Sequence, residues 1–120
     1  MPAAPLGRAS VLRILSTVLE DPSGYGRIVR RGKSGAVLRI VEEKDATEEQ
    51  RRITEVNMST YVFSADDLLR SLGRLGNANA SGEYYLTDCP GILLGDGLRV
   101  DALACLDPSE ALSVNTPAQL

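Results

Sequence analysis

The stretch of residues 21–47 constrains the fold most, because it combines a glycine-containing loop with two β-favouring runs. The loop is Gly24-Tyr25-Gly26, in which the glycines let the backbone take positive φ and approach a ligand closely. Asp21-Pro22 presets a turn before it. A polar turn, residues 31–35, separates the two runs. The pattern therefore predicts a β-hairpin that follows a loop able to approach a ligand.

The second run alternates between two faces of a predicted strand. One face carries Ala36, Leu38, Ile40 and Glu42, and the other carries Val37, Arg39, Val41 and Glu43. Glu42 therefore continues an apolar row, where a buried carboxylate must be solvated, paired with a cation or hydrogen-bonded to a ligand. The residues alone leave a second interpretation open. In it, the glycines form only a tight turn and Glu42 pairs with an arginine of the hairpin.

The chain carries six motifs in order: Asp21 to Arg30 (DPSGYGRIVR), Ile40 to Thr47 (IVEEKDAT), Glu49-Gln50, Glu55-Val56-Asn57, Gly82 to Asp88 (GEYYLTD) and Val114-Asn115. In this order they resemble the sugar-binding half of bacterial N-acetylglucosamine-1-phosphate uridylyltransferases. The resemblance extends from about Val11 to Leu120. It implies that residues 1–120 form a partial nucleotidyltransferase domain of α/β class. The expected architecture is a partial doubly wound, Rossmann-like mixed sheet with an inserted β-hairpin and with the N-terminal strands missing.

The enzymes of this family transfer a uridylyl group from UTP to N-acetylglucosamine 1-phosphate, which gives UDP-N-acetylglucosamine and pyrophosphate. The resemblance implies that Gly26 contacts the sugar through its backbone and that Glu42 accepts hydrogen bonds from the sugar hydroxyls. It implies that Asn57 binds the acetamido-sugar. Asn115 is expected to bind the nucleotide sugar and to ligate Mg²⁺ through its carbonyl oxygen, the kind of ligand this cation prefers.

Three departures from the family pattern are visible. Asn57-Met58-Ser59 replaces Asn-Thr-Gly, Ser113-Val114-Asn115 replaces Gly-Val-Asn, and Thr116-Pro117 follows in place of Asn-Arg. The 120 residues also contain no glycine-rich phosphate loop, no uridine-binding segment, no second metal-ligating aspartate and no acetyltransferase domain. We therefore expect no catalytic residue in this chain and no UDP-sugar synthesis by the chain alone. Two alternatives stay open: a non-catalytic remnant or sugar-nucleotide-binding module, and another hexose-1-phosphate nucleotidyltransferase.

Residue usage excludes several kinds of site. The chain has no histidine, and Cys89 and Cys105 form no C-x-x-C pair, which excludes zinc sites, Ser-His-Asp triads and Cys-His dyads within it. No apolar run approaches the roughly 18 residues that a membrane span needs, so we expect no membrane partner and a cytoplasmic location. The net charge is −3, but arginines concentrate in the first third. They indicate a phosphate-facing hairpin, a nucleic-acid patch or a solvated hairpin edge; we expect no nucleic-acid partner.

Outside the hairpin the pattern predicts four elements before residue 76. They are a strand Val11 to Leu19 covered on both faces, a short helix with a Thr47/Gln50 capping box that ends near Ile53, a central strand Glu55 to Phe63, and a helix from an N-cap at Ser64 through Leu75. Four leucines form a stripe on the last helix that we assign to the core: Leu68, Leu69, Leu72 and Leu75.

Two elements follow residue 82. Either Asp88 caps a helix from Cys89 to about Gly95, or Pro90 kinks a longer helix. A strand is predicted from Arg99 to Leu106. Residues 1–10 are predicted to be disordered. Because early strands of the implied sheet are absent, we expect the Val11 to Leu19 strand to present an unpaired edge or an uncovered face, with homo-oligomerisation through the exposed sheet edge.

Overall fold

The computed structural model describes residues 10–32 and 35–111. Within these residues the chain forms five strands: β1 (Leu12–Val18), β2 (Arg27–Arg30), β3 (Val37–Val41), β4 (Glu55–Phe63) and β5 (Val100–Leu103). It also forms three α-helices: α1 (Glu48–Arg51), α2 (Ala65–Leu72) and α3 (Cys89–Gly95). Short 3₁₀ turns cover Glu43–Asp45, Leu86–Asp88 and Pro108–Ala111.

The five strands form one open, mixed sheet in the order β3-β2-β4-β1-β5. β1 pairs with β4 in the antiparallel and with β5 in the parallel sense, while β2 and β3 form the hairpin. This confirms the predicted α/β class with a mixed sheet and a β-hairpin, and it is consistent with a partial Rossmann-like domain. The central strand is also confirmed, because β4 has the predicted bounds and lies in the middle of the sheet.

The hydrophobic core lies where the hairpin, β1, β5 and α3 meet. It consists of eight buried residues: Leu12, Ile14, Ile28, Val37, Ile40, Leu93, Val100 and Ala102. Several partly buried residues pack against it, among them Tyr61 and Phe63 of β4, whose rings lie 5.8 Å apart. The hairpin therefore contributes to the same core as β1 and β5, although it lies at the other end of the sheet order.

The helix ends follow the predicted caps in two cases. Thr47 Oγ1 accepts a hydrogen bond from the Gln50 N–H at 3.1 Å, and Gln50 Oε1 accepts one from the Thr47 N–H at 3.0 Å. This capping box is confirmed. The first of the two alternatives for the helix near Pro90 is also confirmed. α3 has the predicted bounds, and the proline lies in the first turn, where its missing N–H costs nothing. Asp88 occupies the N-cap position, but its side chain makes no capping hydrogen bond.

The predicted core stripe of the helix after Ser64 is wrong. α2 ends at Leu72, and Leu69 is 68% exposed. The buried residues of α2 are instead Asp67 and Ser71. The reason is the position of α3, since the Ser71 hydroxyl contacts the buried thiol of Cys89 there. Two small side chains let the helices approach closely, so the neighbouring helix decides which side of α2 is buried.

The alternation predicted for the second hairpin strand is also wrong at the start of the strand, at Val37 and Leu38. Leu38 is exposed, whereas Val37 and Ile40 are both buried. The pairing register explains the change: β2 pairs Val29 with Arg39 but Arg30 with Val37, so β3 holds one extra residue at a bulge. Beyond the bulge the side chains exchange faces.

The predicted Val11 to Leu19 strand is an interior strand, and the expectation of an unpaired edge is wrong. β1 lies between β4 and β5, and the edge strands of the described sheet are β3 and β5. The prediction that other parts of the chain cover both faces of this strand is wrong as well, because Arg13 is exposed. It pairs with Val62, which is 60% exposed. The expectation was an unpaired edge or an uncovered face, and the described residues show that one face of β1 is uncovered.

The last predicted strand is shorter than expected. β5 ends at Leu103, because the Cys105 N–H donates to the Leu103 carbonyl in a tight turn. Residues 1–9, which hold most of the segment predicted to be disordered, lie outside the described part. Ser10 is described, and its hydroxyl donates to the Asp101 carboxylate. Among the described residues, no helix has the length and apolarity required to cross a membrane.

A half-buried ion pair connects the hairpin to the rest of the sheet. Arg30 donates from Nε to Glu55 Oε1 at 2.6 Å and from Nη2 to Glu55 Oε2 at 2.9 Å. The same guanidinium donates to the carbonyls of Gly35 and Ala102, and the Ser16 hydroxyl donates to Glu55 at 2.7 Å. Burial alone raises the pKa of Glu55, but the hydrogen bonds from Arg30 and Ser16 outweigh it and leave the pKa below its ordinary value. Glu55 is therefore ionised at neutral pH.

We expect Glu55→Ala to lower the free energy of unfolding by about 3 kcal/mol near neutral pH, because it leaves the Arg30 charge without its partner. The folded-state pKa is the lower one, so this contribution is present above the unfolded-state value of 4.5 and is lost as the pH falls through the folded-state value. Urea unfolding followed by circular dichroism over this range measures it. The matched control is Asp96→Ala, which breaks the exposed pair with Arg74 and should cost less than about 1 kcal/mol. A difference between Glu55→Ala and the parent that does not shrink in acid would contradict the assignment.

We also expect the parent chain to self-associate with rising concentration, because Val62 and Leu103 leave apolar surface exposed on the uncovered face. Val62→Lys should weaken the association, since a charge is costly to desolvate in an apolar contact. Sedimentation velocity measures this. Leu69→Lys is the control on the opposite side of the sheet, at an equally exposed position of α2. A parent chain that stays monomeric at high concentration would show the expectation to be wrong.

Candidate functional site

Gly26 and Glu42 lie against each other at the start of the hairpin and the end of β3. Gly26 is buried, and a Cβ atom built on it would lie 3.3 Å from Ile40 Cγ2 and 3.5 Å from Glu42 Oε2. A side chain at this position would therefore be tight against Ile40 and in ordinary contact with the Glu42 carboxylate. The positive φ predicted for the loop belongs to Gly24, at +88°. The two glycines thus serve different purposes.

Asn57 is joined to Gly26 through the backbone. Its N–H donates to the Gly26 carbonyl at 2.8 Å. Its side chain is buried and engaged within β4: Nδ2 donates to the Tyr61 hydroxyl at 2.6 Å, and Oδ1 accepts from the Ser59 N–H at 3.0 Å. The structure therefore brings together three of the four residues selected from the sequence, Gly26, Glu42 and Asn57. Asn115, the fourth, lies outside the described residues.

The Glu42 carboxylate is half-buried and accepts one hydrogen bond from a side chain. The donor is the Thr87 hydroxyl, at 2.8 Å from Oε1. Glu42 is also close enough to Tyr61 to affect it electrostatically. Burial raises the pKa of Tyr61, and the negative charge of Glu42 raises it further. A carboxylate offers about four acceptor positions, so Glu42 keeps capacity for the hydroxyls of a ligand.

A cleft of about 300 Å³ opens beside Glu42. It lies between the 3₁₀ turn after β3 and the loop before α3, and its lining residues are Gly24, Glu42, Glu43, Lys44, Ser81, Glu83 and Tyr85. The Ala80 N–H donates to Asp45 Oδ1 at 2.7 Å, which holds this loop against the turn. The volume is at the lower end of the range for small-molecule sites. Two of the motifs named above, Ile40 to Thr47 and Gly82 to Asp88, thus form opposite walls of one cleft.

Two of the hairpin arginines, Arg27 and Arg30, do not belong to the predicted charged edge. Arg27 is 2% exposed and donates to Glu43 Oε1 at 3.1 Å, while Arg30 is held by Glu55. For these two residues the interpretations as a nucleic-acid patch, a phosphate-facing surface or a solvated edge are wrong. The alternative in which Glu42 pairs with a hairpin arginine is wrong too, because Arg27 pairs with the neighbouring Glu43 instead.

Sequence reasoning missed three residues of the site. Thr87 lies inside the Gly82 to Asp88 motif but was not assigned a role, and Tyr61 was assigned only to a strand. Arg27 is one of the arginines in the first third for which the sequence indicates only a charged surface. A signal existed for Arg27 alone, since it directly follows the glycine loop and faces an acidic run, residues 42–45, across the hairpin. The contacts of Thr87 and Tyr61 depend on packing between distant segments.

The bulge in β4 carries an unusual backbone conformation. Leu15 pairs with Thr60 and Ser16 with Asn57, so Met58 and Ser59 have no partner in β1. Ser59 has φ of +57°, in the left-handed region that costs a side-chain-bearing residue roughly 1–2 kcal/mol. This is the position at which the family pattern has glycine. The Asn57 side chain accepts the Ser59 N–H and so supports the bulge next to Gly26.

The described residues provide no metal site by themselves. No group of three or more His, Cys, Asp or Glu side chains that could hold a metal ion occurs among residues 10–32 and 35–111. Asn115, the expected Mg²⁺ ligand, is outside them. Binding of Mg²⁺ therefore stays a prediction, and none of the described residues supports it.

The chain is similar to proteins named "Bifunctional protein GlmU". It is 47% identical to the one of Acetivibrio thermocellus over 113 residues, which are 94% of this chain and 24% of that protein. It is 50% identical to that of Geobacter metallireducens over 111 residues and 49% identical to that of Bacillus subtilis over 102 residues. These matches cover 92% and 85% of this chain, and 23% and 22% of the two relatives. The chain thus spans about a quarter of the length of these curated relatives. No protein-family model matches the chain.

We expect Ser59→Gly to raise the free energy of unfolding by about 0.5 to 1 kcal/mol, because glycine takes positive φ without a steric cost. The lost contact of the Ser59 hydroxyl with Tyr61 matters little, since Tyr61 keeps its bond to Asn57. Urea denaturation measures the change. Thr60→Gly, at the paired residue directly after the bulge, is the matched control and should destabilise. If Ser59→Gly destabilises as much as Thr60→Gly, the bulge is not strained.

Proposed function

The chain belongs to the family of the GlmU proteins, of which it matches one segment, and we propose that it carries the sugar-recognition part of a nucleotide-sugar pyrophosphorylase. The proposed reaction transfers a uridylyl group from UTP to N-acetylglucosamine 1-phosphate and releases pyrophosphate. The chain contributes recognition of the acetamido-sugar, in the bound substrate or in UDP-N-acetylglucosamine. As part of the same proposal, the reaction runs in the cytoplasm and supplies a cell wall precursor.

The observation that carries the proposal is the contact of Gly26 with both Glu42 and Asn57. Glu42 has free acceptor positions for sugar hydroxyls beside a cleft of about 300 Å³. The Asn57 carboxamide can make four hydrogen bonds, two of which are already made to Tyr61 and Ser59. One donor and one acceptor position are left for an acetamido group. Glu42 and Asn57 both contact Gly26, and a carboxylate together with an amide suits a ligand that carries both hydroxyls and an N-acetyl group.

Asn115 and Mg²⁺ belong to the proposal only through the resemblance. When bound, the cation neutralises charge on the transferred phosphate and orients it. Phosphoryl transfer of this type requires little proton transfer by side chains, and the absence of histidine from the sequence is compatible with it. In this proposal, Gly26, Glu42 and Asn57 bind the sugar.

A sugar-nucleotide-binding module without turnover is the second candidate. Both candidates require the same sugar site and differ only in whether pyrophosphate is released. The third alternative is a nucleotidyltransferase for a different hexose 1-phosphate. It differs from the proposal in that its sugar lacks the acetamido group that Asn57 would bind.

We expect UDP-N-acetylglucosamine to bind weakly to the chain and to shift the amide resonances of Gly26, Glu42 and Asn57. Glu42→Ala and Asn57→Ala should each weaken binding by roughly tenfold, because a missing hydrogen-bond partner in a partly desolvated site costs about 1–3 kcal/mol. Titrations followed by amide chemical shifts measure both effects. No pyrophosphate release from UTP and N-acetylglucosamine 1-phosphate is expected from the chain alone.

Two controls accompany this titration. Arg31→Ala removes an exposed hairpin charge and should change affinity by less than about twofold. This small contribution should decrease further as the salt concentration rises. UDP-glucose lacks the acetamido group, so it should bind the parent more weakly and be insensitive to Asn57→Ala. If the shifts follow Arg31 and vanish at moderate salt while Glu42→Ala has no effect, these residues do not form a sugar site.

A further inference from the structure

Arg27 is the first residue of β2 and is 2% exposed. Its guanidinium contacts three different segments of the chain. Nη1 donates to the Tyr25 carbonyl, and Nη2 donates to Glu43 Oε1 at 3.1 Å and to the Arg51 carbonyl at 3.2 Å. These acceptors belong to the glycine loop, to the turn after β3 and to the end of α1. One side chain thus holds together the three segments around the start of the hairpin.

Stability alone is a poor explanation for this arginine. Desolvating a guanidinium is expensive, and its attraction to one carboxylate repays the cost only if every donor is satisfied. Arg27 does not meet that condition, because its Nε is buried without a hydrogen-bond partner. Its partner Glu43 is itself 34% exposed, which weakens the attraction. An apolar side chain of similar length would fill the same space without this cost.

The contacts of Arg27 do fix the position of the residues assigned to sugar recognition. The Gly24 N–H donates to the Glu43 carboxylate, and this bond is the main reason why the pKa of Glu43 is lowered, with burial opposing it and Arg27 adding to it. Arg27 holds the carbonyl of Tyr25, the residue before Gly26. The loop is therefore attached to the turn at two points, directly through the Gly24 N–H and through Arg27 at the Tyr25 carbonyl. Gly26 follows that loop directly, and Glu42 precedes Glu43 directly.

We propose that Arg27 is a positioning residue of the sugar site, which holds the Gly24-Tyr25-Gly26 loop against the Glu42–Glu43 turn so that the Gly26 backbone and the Glu42 carboxylate present one surface to the ligand. This inference rests on the proposed function for the identity of the ligand. The positioning itself does not depend on it. Arg27 has no assigned contact with the sugar and acts through Gly26 and Glu42.

The test compares Arg27→Lys with Arg30→Lys in the full chain. Both replace a guanidinium that reaches three segments by an ammonium that cannot bridge them. Only Arg27 is attached to the glycine loop. In the ligand-free protein, Arg27→Lys should shift the amide resonances of Gly24, Gly26 and Glu42, and Arg30→Lys should leave them in place. With UDP-N-acetylglucosamine, Arg27→Lys should weaken binding by roughly ten- to a hundredfold, because displaced recognition groups lose their alignment. Arg30→Lys should change binding by less than about twofold.

Glu43→Gln serves as a second variant if Arg27→Lys does not fold, since it keeps Arg27 and weakens the same attachment. It should shift the same amides by a smaller amount. Amide shifts at Gly24, Gly26 and Glu42 that are no larger in Arg27→Lys or Glu43→Gln than in Arg30→Lys would overturn the inference. Equal affinity loss in the two lysine variants would overturn it too. If the parent binds no UDP-N-acetylglucosamine, the proposed function fails, and the ligand-free spectra still decide whether Arg27 positions the loop.

Discussion

The pairing of Arg30 with Glu55 holds the structure together where backbone pairing does not. β2 pairs with β4 only at Arg27 and Val56, so most of the hairpin has no ladder to the rest of the sheet. Its far end is fixed by the Arg30 guanidinium, which reaches Glu55 of β4 and the Ala102 carbonyl of β5. This contact lets Ile28 and Ile40 join the core formed by β1, β5 and α3. The hairpin is thus attached to the sheet by polar contacts at Arg30 and by apolar packing of Ile28 and Ile40.

Local patterns predicted the elements of this fold well, and long-range contacts explain the errors. The capping box of α1 and the proline in the first turn of α3 depend on residues within a few positions of each other, so a local pattern is enough to predict them. The exposure of Leu38 depends on a bulge in the pairing of β2 with β3. The exposure of Leu69 depends on where α3 packs. Neither cause is visible in the periodicity of a single strand or helix.

The candidate site was predictable only in part, for a similar reason. Gly26, Glu42 and Asn57 are predicted through a family resemblance, whereas spacing alone favours an ordinary tight turn. Thr87 reaches Glu42 across 45 positions of sequence, and no local pattern indicates that contact. The burial of Arg27 is not predictable from local sequence, because a charged residue on a short hairpin is usually solvated. Its burial follows from the acidic turn and the end of α1 folding over it.

The parallel pairing of β1 with β5 has a consequence for the time course of folding. Leu12 pairs with Val100, 88 positions further along the chain (100 − 12 = 88), whereas the hairpin joins residues that are close in sequence. Closing so long a segment is entropically costly and slow compared with forming a hairpin. During synthesis, the apolar side chains of β1 therefore have no parallel neighbour until nearly the whole described chain has left the ribosome. The order in which the chain emerges makes β1 the strand that stays incompletely paired longest.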